Sequence, residues 1–185
     1  MFAAIGIAYV FVTLSRYLRL ALLPVVLFAG FSAAKLYEFS GDWRVAGTMT
    51  RNIAHSIAAE AAHETVYLVN RPDRYRGAYV FRTGLQAAVN IFAKSPAPRS
   101  IRSIFAQRVD VPGAQASLQR NSGTPDTYTL SLLDDGSQYF FADPTYVELL
   151  ETLPRAATFR FREPPENADL FFYTAGNVEK FSETP

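Results

Sequence analysis

The 185-residue sequence contains no cysteine, and this absence excludes several classes of protein. Without thiols there is no cysteine nucleophile, no cysteine-ligated zinc and no disulfide framework. An excess of charge of either sign is also missing, because 18 Lys and Arg residues stand against 17 Asp and Glu residues. A nearly neutral net charge gives no indication of nucleic-acid binding. We therefore expect no nucleic acid among its partners.

Acidic residues are missing from the N-terminal part of the chain, where the first one is Glu38. The apolar stretch Leu20–Phe39 is about as long as the 20 residues that a membrane-spanning helix needs. Lys35 does not prevent this assignment, because a long basic side chain near a helix end can extend its amine to the interface. We predict a membrane segment over residues 1–39, either one helix or a helical hairpin.

The two basic residues of the N-terminal part predict the orientation of this segment. Arg16 and Arg19 precede the apolar stretch, and basic residues concentrate on the cytoplasmic side of membrane helices. The chain would then cross outward, which places residues 40–185 outside the cytoplasm. We predict an inner-membrane protein with an extracytoplasmic domain.

Two other interpretations of the N-terminal part stay open. Phe31–Ala34 has the small residues of a signal-peptide cleavage site, and cleavage there would give a mature protein that begins at Lys35. A soluble protein with a buried N-terminal helix is the other alternative.

Residues 40–185 have the pattern of an α+β domain with a largely antiparallel sheet and two to three helices. A helix is predicted to begin at Ser40 or Asp42, because short oxygen-bearing side chains cap free first-turn amides. Five apolar residues then recur at helical intervals: Trp43, Ala46, Met49, Ile53 and Ile57. Further helices are predicted over Gly84–Lys94 and Thr145–Pro154. The predicted strands are Thr65–Asn70, Ala78–Phe81, Ser103–Val111, Ala114–Arg120, Thr127–Leu133, Ser137–Ala142 and Ala157–Arg162, and residues Ala168–Phe181 form a closing strand or hairpin.

One hairpin has a specific turn signal. The strands Thr127–Leu133 and Ser137–Ala142 are joined by Asp134-Asp135-Gly136, and Asp-Gly is typical of a tight turn between paired strands.

Motifs that would identify an enzyme are absent from the sequence. His55 and His63 lie eight positions apart without the H-E-x-x-H spacing of zinc proteases, and we interpret them as part of a solvated polar face. There is no nucleophile elbow and no phosphate-binding glycine loop. We therefore predict no catalytic residue, no metal site and no cofactor.

The stretch Asn70–Gly84, NRPDRYRGAYVFRTG, concentrates basic residues around a rigid corner. Asn70 and Asp73 flank Pro72 and can bond their own backbone, which stiffens a turn. Arginine forks suit carboxylate or phosphate recognition. The candidate ligand-binding residues are Arg71, Asp73, Arg74, Arg76, Tyr79 and Arg82. The alternative is that these arginines are solubilising loop residues, some paired with Asp73 or Glu64.

The same stretch resembles the C-terminal extracytoplasmic region of bacterial multi-spanning proteins of the dolichyl-phosphate-mannose–protein mannosyltransferase-like, GT-C type. The matching residues are Asn70, Pro72, Asp73, Gly77, Ala78, Tyr79, Val80, Phe81, Arg82 and Gly84. Arg71 stands where leucine is usual, and Thr83 where asparagine is usual. The resemblance implies association with sugar transfer from a polyprenyl-phosphate donor at the outer face of the inner membrane. It does not carry catalysis onto this chain, because the acidic catalytic residues of that type lie in an early external loop and no acid precedes Glu38.

We therefore predict a membrane-anchored, non-catalytic accessory or C-terminal domain that aids acceptor or lipid-phosphate recognition. Its expected partners are membrane lipid and either a polyprenyl-phosphate-linked sugar or a membrane protein. The chain alone is not expected to transfer sugar. The alternative is a membrane-anchored structural or protein-interaction domain without a ligand.

Overall fold

The computed structural model describes residues 2–81, 83–93, 97–124, 126–141, 143–163, 165 and 167–182. It is an α+β fold in which most strand pairs are antiparallel, as the sequence predicts. The described residues contain two helices and ten strands: α1 (Phe2–Glu60), β1 (Thr65–Tyr75), β2 (Ala78–Tyr79), α2 (Leu85–Phe92), β3 (Ser100–Val109), β4 (Ala116–Arg120), β5 (Thr127–Leu132), β6 (Gln138–Phe141), β7 (Val147–Thr152), β8 (Ala156–Phe161), β9 (Ala168–Thr174) and β10 (Asn177–Lys180). The chain divides into two compact units, residues 1–41 and residues 42–185.

The first unit is helical throughout its described length. The prediction that a helix begins at Ser40 or Asp42 is wrong, because α1 continues through both residues. Ser40 stays within the helix by donating its hydroxyl to the carbonyl oxygen of Tyr37 at 2.8 Å. The hairpin alternative is also wrong, because α1 continues without a break through residues 15–19. These residues contain no glycine or proline that would end the helix.

Large apolar side chains on the first unit are exposed. They are Tyr17, Leu22, Val25, Val26, Leu27, Phe28, Phe31, Leu36, Tyr37 and Phe39, with exposed fractions from 45% to 83%. Within the residues that the structure describes, no helix contains a stretch that is both long enough and apolar enough to cross a membrane. The side chains of residues 20, 21 and 23, which belong to the predicted span, lie outside the described ones.

The second unit contains a mixed sheet, sheet A, in the order β10-β9-β1-β3-β6, with β2 beside β1. Its three central strands are parallel, since β1 pairs in parallel with both β3 and β9. The outer pairs β9–β10 and β3–β6 are antiparallel. The parallel pair β1–β3 is connected through α2, because parallel neighbours need a crossover. This parallel centre is absent from the sequence-based prediction.

A second sheet, sheet B, is antiparallel throughout and has the order β4-β5-β8-β7. The predicted helix over Thr145–Pro154 is wrong, because this segment contains β7, which pairs with β8. The burial of β7 explains the error: only Val147 is buried, so the apolar residues after it do not form the inward stripe of a helix. The predicted hairpin around Asp134–Gly136 is wrong as well, since β5 lies in sheet B while β6 pairs with β3 in sheet A.

Sheet A separates two hydrophobic cores. On one face, the end of α1 and α2 cover a core that includes Met49, Ile53, Ile57, Leu68, Val89, Phe171 and Tyr173. On the other face, sheet B closes an aromatic core that includes Tyr67, Phe105, Tyr128, Phe159 and Phe161. The rings of Phe105 and Phe159 lie 5.4 Å apart at an interplanar angle of 70°, an edge-to-face arrangement that favours association. The second unit is thus a three-layer structure of helices, sheet A and sheet B.

Candidate functional site

The arginine corner, defined as residues 71–79, is a tight β-hairpin. The predicted turn around Pro72 is wrong, because β1 continues through it to Tyr75 with a register shift between Pro72 and Arg74. The chain turns instead at Arg76 and Gly77, where Arg76 has a positive φ of 49°. Arg74 and Tyr79 then face each other across the β1–β2 pair.

Within the corner, the described arginines lie near carboxylates. Asp73 is buried and lies 3.5 Å from both Arg71 and Arg74, while Arg76 lies 3.5 Å from Asp42. The guanidinium of Arg74 also lies over the ring of Tyr79, 4.9 Å from its centre.

The structure therefore brings together five of the six candidate residues, and the sixth, Arg82, lies outside the described residues. About half of the Arg74 and Arg76 side chains remains exposed. Their charge is partly compensated, but their donors can still reach a ligand in solvent.

A buried amide fixes the strand that leads into the corner. Asn70 is fully buried and donates Nδ2 to Gln107 Oε1 and to the carbonyl oxygen of Tyr173, both at 2.9 Å. Its Oδ1 accepts the backbone amide of Tyr173 at 2.7 Å. These bonds replace backbone pairing between β1 and β9, whose register ends at Leu68 and Phe171. The side chain of Asn70 thus connects β1 to β9 through hydrogen bonds. The sequence-based prediction treated Asn70 as a turn residue and missed this role.

A second constellation joins the end of α1 to sheet A around Asp169, which is only 2% exposed. One oxygen of Asp169 accepts the backbone amides of Ala62 and His63 at 2.6 and 2.8 Å. The other oxygen lies 3.0 Å from His63 Nδ1 and 2.6 Å from Lys180 Nζ. Lys180 also donates to the carbonyl oxygen of Glu60 at 3.3 Å. The carboxylate therefore fastens the helix terminus to β9 and β10.

The environment of Asp169 keeps its carboxyl group ionised. Burial raises the pKa, but hydrogen bonds from Lys180, from the His63 side chain and from the amides of His63 and Ala62 outweigh burial and lower the pKa from 3.8 to about 2. An ionised carboxylate can only accept hydrogen bonds, so His63 carries its proton on Nδ1. The interpretation of His63 as a purely solvated residue is incomplete. The signal in the sequence is a carboxylate inside the apolar run ADLFFYT.

His63 borders a groove of about 520 Å³ next to the end of α1. The groove is lined by His55, His63, Glu64, Phe92, Arg99 and small alanine side chains. Arg99 and Glu64 lie 3.3 Å apart and are well exposed, so their mutual attraction is weak. Among the described residues, no cluster of three or more His, Asp or Glu side chains could hold a metal ion.

A larger and more polar groove, which we name the edge groove, is lined by residues from both sheets. It has a volume of about 930 Å³ and is lined by residues 118–124, Phe172 and residues 179–182. β4 and β10, which contribute to it, are edge strands of sheet B and sheet A. The sequence gives no motif for this groove, because its walls come from segments that are about 50 residues apart in the chain.

Comparisons with known proteins do not assign a family. No family model, no curated protein and no solved structure matches this chain. The resemblance of Asn70–Gly84 to GT-C-type proteins therefore stays a prediction.

Proposed function

We propose that the protein is a membrane-anchored, non-catalytic domain in which α1 holds residues 42–185 at the outer face of the inner membrane. The observation that carries this proposal is the row of nine large apolar side chains exposed between Leu22 and Phe39. Burying one such side chain is favourable by about 1.5–3 kcal/mol, so leaving all of them in water is strongly unfavourable.

The distribution of these side chains favours lipid over a protein groove as their cover. Val25, Val26, Leu27 and Phe28 are consecutive and are each at least 60% exposed. Successive residues of a helix are rotated by about 100°, so four in a row point in all directions around the axis. A groove on one partner would cover one side, whereas a bilayer surrounds the helix.

The arginine corner supports a more specific role near the membrane. Arg74 and Arg76 are half exposed on a rigid hairpin and can present donors to a phosphate. Together with the resemblance of Asn70–Gly84, this favours an accessory role in sugar transfer from a polyprenyl-phosphate donor. Recognition of the lipid phosphate or of the acceptor would be the contribution of this chain, and the transfer chemistry would belong to another polypeptide.

The second candidate function is a membrane-anchored interaction domain without a small ligand. Two observations favour it: the described arginines of the corner lie beside Asp73 and Asp42, and apolar side chains are exposed on and around β7. These side chains are Leu133, Leu149, Leu150 and Leu153, with exposed fractions from 38% to 59%. Exposed apolar patches of this kind mark protein-contact surfaces.

Anchoring is tested by expressing the full chain and washing the membranes with alkaline carbonate. We expect the wild type to stay in the membrane pellet and the double variant Leu27→Arg/Phe28→Arg to be released, because each arginine at a helix centre costs about 2.5–3.5 kcal/mol. Val111→Arg is the matched control, since Val111 is an exposed apolar residue of the second unit. Release of the wild type, or retention of the double variant, would contradict lipid anchoring.

Orientation and ligand are tested separately. A reporter that is active only outside the cytoplasm, fused after Pro185, should be active, and activity of a cytoplasmic reporter there would contradict the orientation. Purified full-length protein in zwitterionic micelles is then titrated with undecaprenyl phosphate. We expect Arg74→Ala/Arg76→Ala to weaken binding at least tenfold and the exposed pair Arg108→Ala/Arg160→Ala to leave it unchanged. Equal binding by both variants would favour the interaction domain without a ligand.

A further inference from the structure

The edge groove has walls that are polar but carry little uncompensated charge. Arg120 lies 3.8 Å from Asp126, and Lys180 is held by the buried carboxylate of Asp169 at 2.6 Å. Glu179 is exposed and has no ion-pair partner among the described residues. The remaining polar lining consists of neutral amide and hydroxyl side chains: Gln119, Asn121, Ser122, Thr124 and Ser182.

Two aromatic rings complete the lining. Phe172 lies opposite Glu179 across the β9–β10 pair, so both side chains project from the same face of sheet A. Phe181 follows β10 and is held by an edge-to-face contact with Tyr128, with ring centres 5.6 Å apart. The groove therefore presents a fixed apolar surface next to hydrogen-bonding groups.

This chemistry favours some classes of ligand over others. A small ion gains little, because an anion would meet the carboxylate of Glu179, while a cation would meet the guanidinium of Arg120 and the amine of Lys180 beside that carboxylate. A purely apolar ligand would strip water from the amides and hydroxyls without replacing their hydrogen bonds, which is unfavourable. A neutral ligand with many hydroxyl groups and an apolar face satisfies both parts of the lining.

We propose that the edge groove binds a neutral saccharide. Asn121 is oriented for this role, because its Oδ1 accepts the hydroxyl of Thr129 at 3.2 Å and its Nδ2 is left to donate. The carboxylate of Glu179 accepts from two neighbouring sugar hydroxyls, and the amide of Gln119 both donates and accepts. The C–H face of a sugar ring packs on Phe172. The volume of about 930 Å³ accommodates two or three sugar units, within the usual size of ligand sites.

This inference does not rest on the proposed membrane function, because every residue that carries it belongs to the second unit and none belongs to the arginine corner. The two proposals can therefore fail independently.

The test is a titration of ¹⁵N-labelled full-length protein with neutral trisaccharides of glucose, mannose and N-acetylglucosamine. The protein is kept in dodecylphosphocholine micelles, because maltoside and glucoside detergents would themselves occupy a sugar site. We expect saturable shifts of the amide signals of residues 119–124, 172 and 179–182 with at least one trisaccharide. No shifts with any of the three sugars at 10 mM, a concentration on the order of ten times a weak millimolar dissociation constant, would overturn the proposal.

Variants of exposed side chains keep the test independent of folding. Gln119→Ala and Glu179→Gln should each weaken binding about tenfold, since each removes hydrogen-bond partners of the sugar. The matched controls are Gln138→Ala and Glu151→Gln, which are exposed residues outside the groove and should bind as the wild type does. Equal weakening by test and control variants, or shifts centred elsewhere, would also overturn the proposal. A sodium sulfate titration with shifts at the same residues would reassign the groove to anions and contradict it.

Discussion

Replacing Asp169 with asparagine should reveal how strongly a single carboxylate holds α1 on sheet A. The substitution keeps the size of the side chain but removes the charge that Lys180 and the His63 imidazole contact at 2.6 and 3.0 Å. The pKa of Asp169 is lowered from 3.8 to about 2, and this shift corresponds to a stabilisation of about 2.5 kcal/mol by the ionised form. We expect Asp169→Asn to lower the free energy of unfolding by about this amount at pH 7.

The pH dependence of this effect has a defined direction. Because the pKa is lower in the folded protein than in the unfolded chain, the stabilisation is complete above about pH 5 and is lost as the pH falls from 3.8 toward 2. The wild type should therefore lose its advantage over Asp169→Asn in this range. At pH 2 the two proteins should differ by only about 0.4 kcal/mol, because half of the folded wild-type carboxylates and nearly all of the unfolded ones are then protonated, which leaves a stabilisation of about RT ln 2.

Urea unfolding in zwitterionic micelles, followed by near-ultraviolet circular dichroism of the aromatic core, measures the difference at each pH. Asp135→Asn is the control, because Asp135 is 90% exposed and its ion pair with Arg155 should contribute less than about 1 kcal/mol. A difference between wild type and Asp169→Asn that is the same at pH 7 and pH 2.5 would refute the reasoning, since it would show that ionisation of Asp169 is not the source of the stability.

Three further substitutions test other parts of the fold by the same unfolding measurement. Asn70→Ala should lower the free energy of unfolding by about 3 kcal/mol, because it leaves buried backbone groups of β9 without partners. A decrease below about 1 kcal/mol would contradict the proposed role of Asn70 in connecting β1 to β9. Phe159→Ala should lower the free energy of unfolding by about 3–5 kcal/mol, since the Phe159 ring is fully buried between sheets A and B. A smaller decrease would mean that neighbouring side chains of the aromatic core move in to fill the cavity. Gly176→Ala should lower the free energy of unfolding by about 1–2 kcal/mol, because φ is +86° and the new methyl group would lie 3.0 Å from a carbonyl oxygen. Gly113→Ala, where the new methyl group would meet no atom within contact distance, should change the free energy little. Equal effects of the two substitutions would contradict the turn assigned at Gly176.

The sequence predicts the local elements of this fold well wherever burial has a simple period. The inward stripe of α1 from Ala46 to Ile57, helix α2 and the β9–β10 hairpin all follow from apolar spacing and turn residues. The strand predicted for residues 157–162 is also confirmed, because these residues contribute to β8, in which Phe159 and Phe161 are buried while Arg160 is exposed. In each case the interactions that form the element are close together in the chain.

The errors occur where long-range contacts decide the structure. Residues 147–152 have helix-like composition but complete the edge of sheet B, and this pairing with β8 is not encoded in their own spacing. Asp134–Gly136 has hairpin residues but turns the chain from sheet B to sheet A. Asp169 acquires its role through Lys180 and through residues more than 100 positions earlier in the chain. A motif search cannot detect a site that is assembled in this way.

The position of β1 at the centre of sheet A has a consequence for synthesis of the protein. One neighbour of β1, β3, begins 35 residues after it, but the other, β9, begins 103 residues after it. Until β9 emerges, Val66 and Leu68 sit on a strand with one open edge, which is a template for pairing with other chains. A ribosome that stalls before residue 168 would therefore release an aggregation-prone product, because among the described strands only β9 covers this edge of β1.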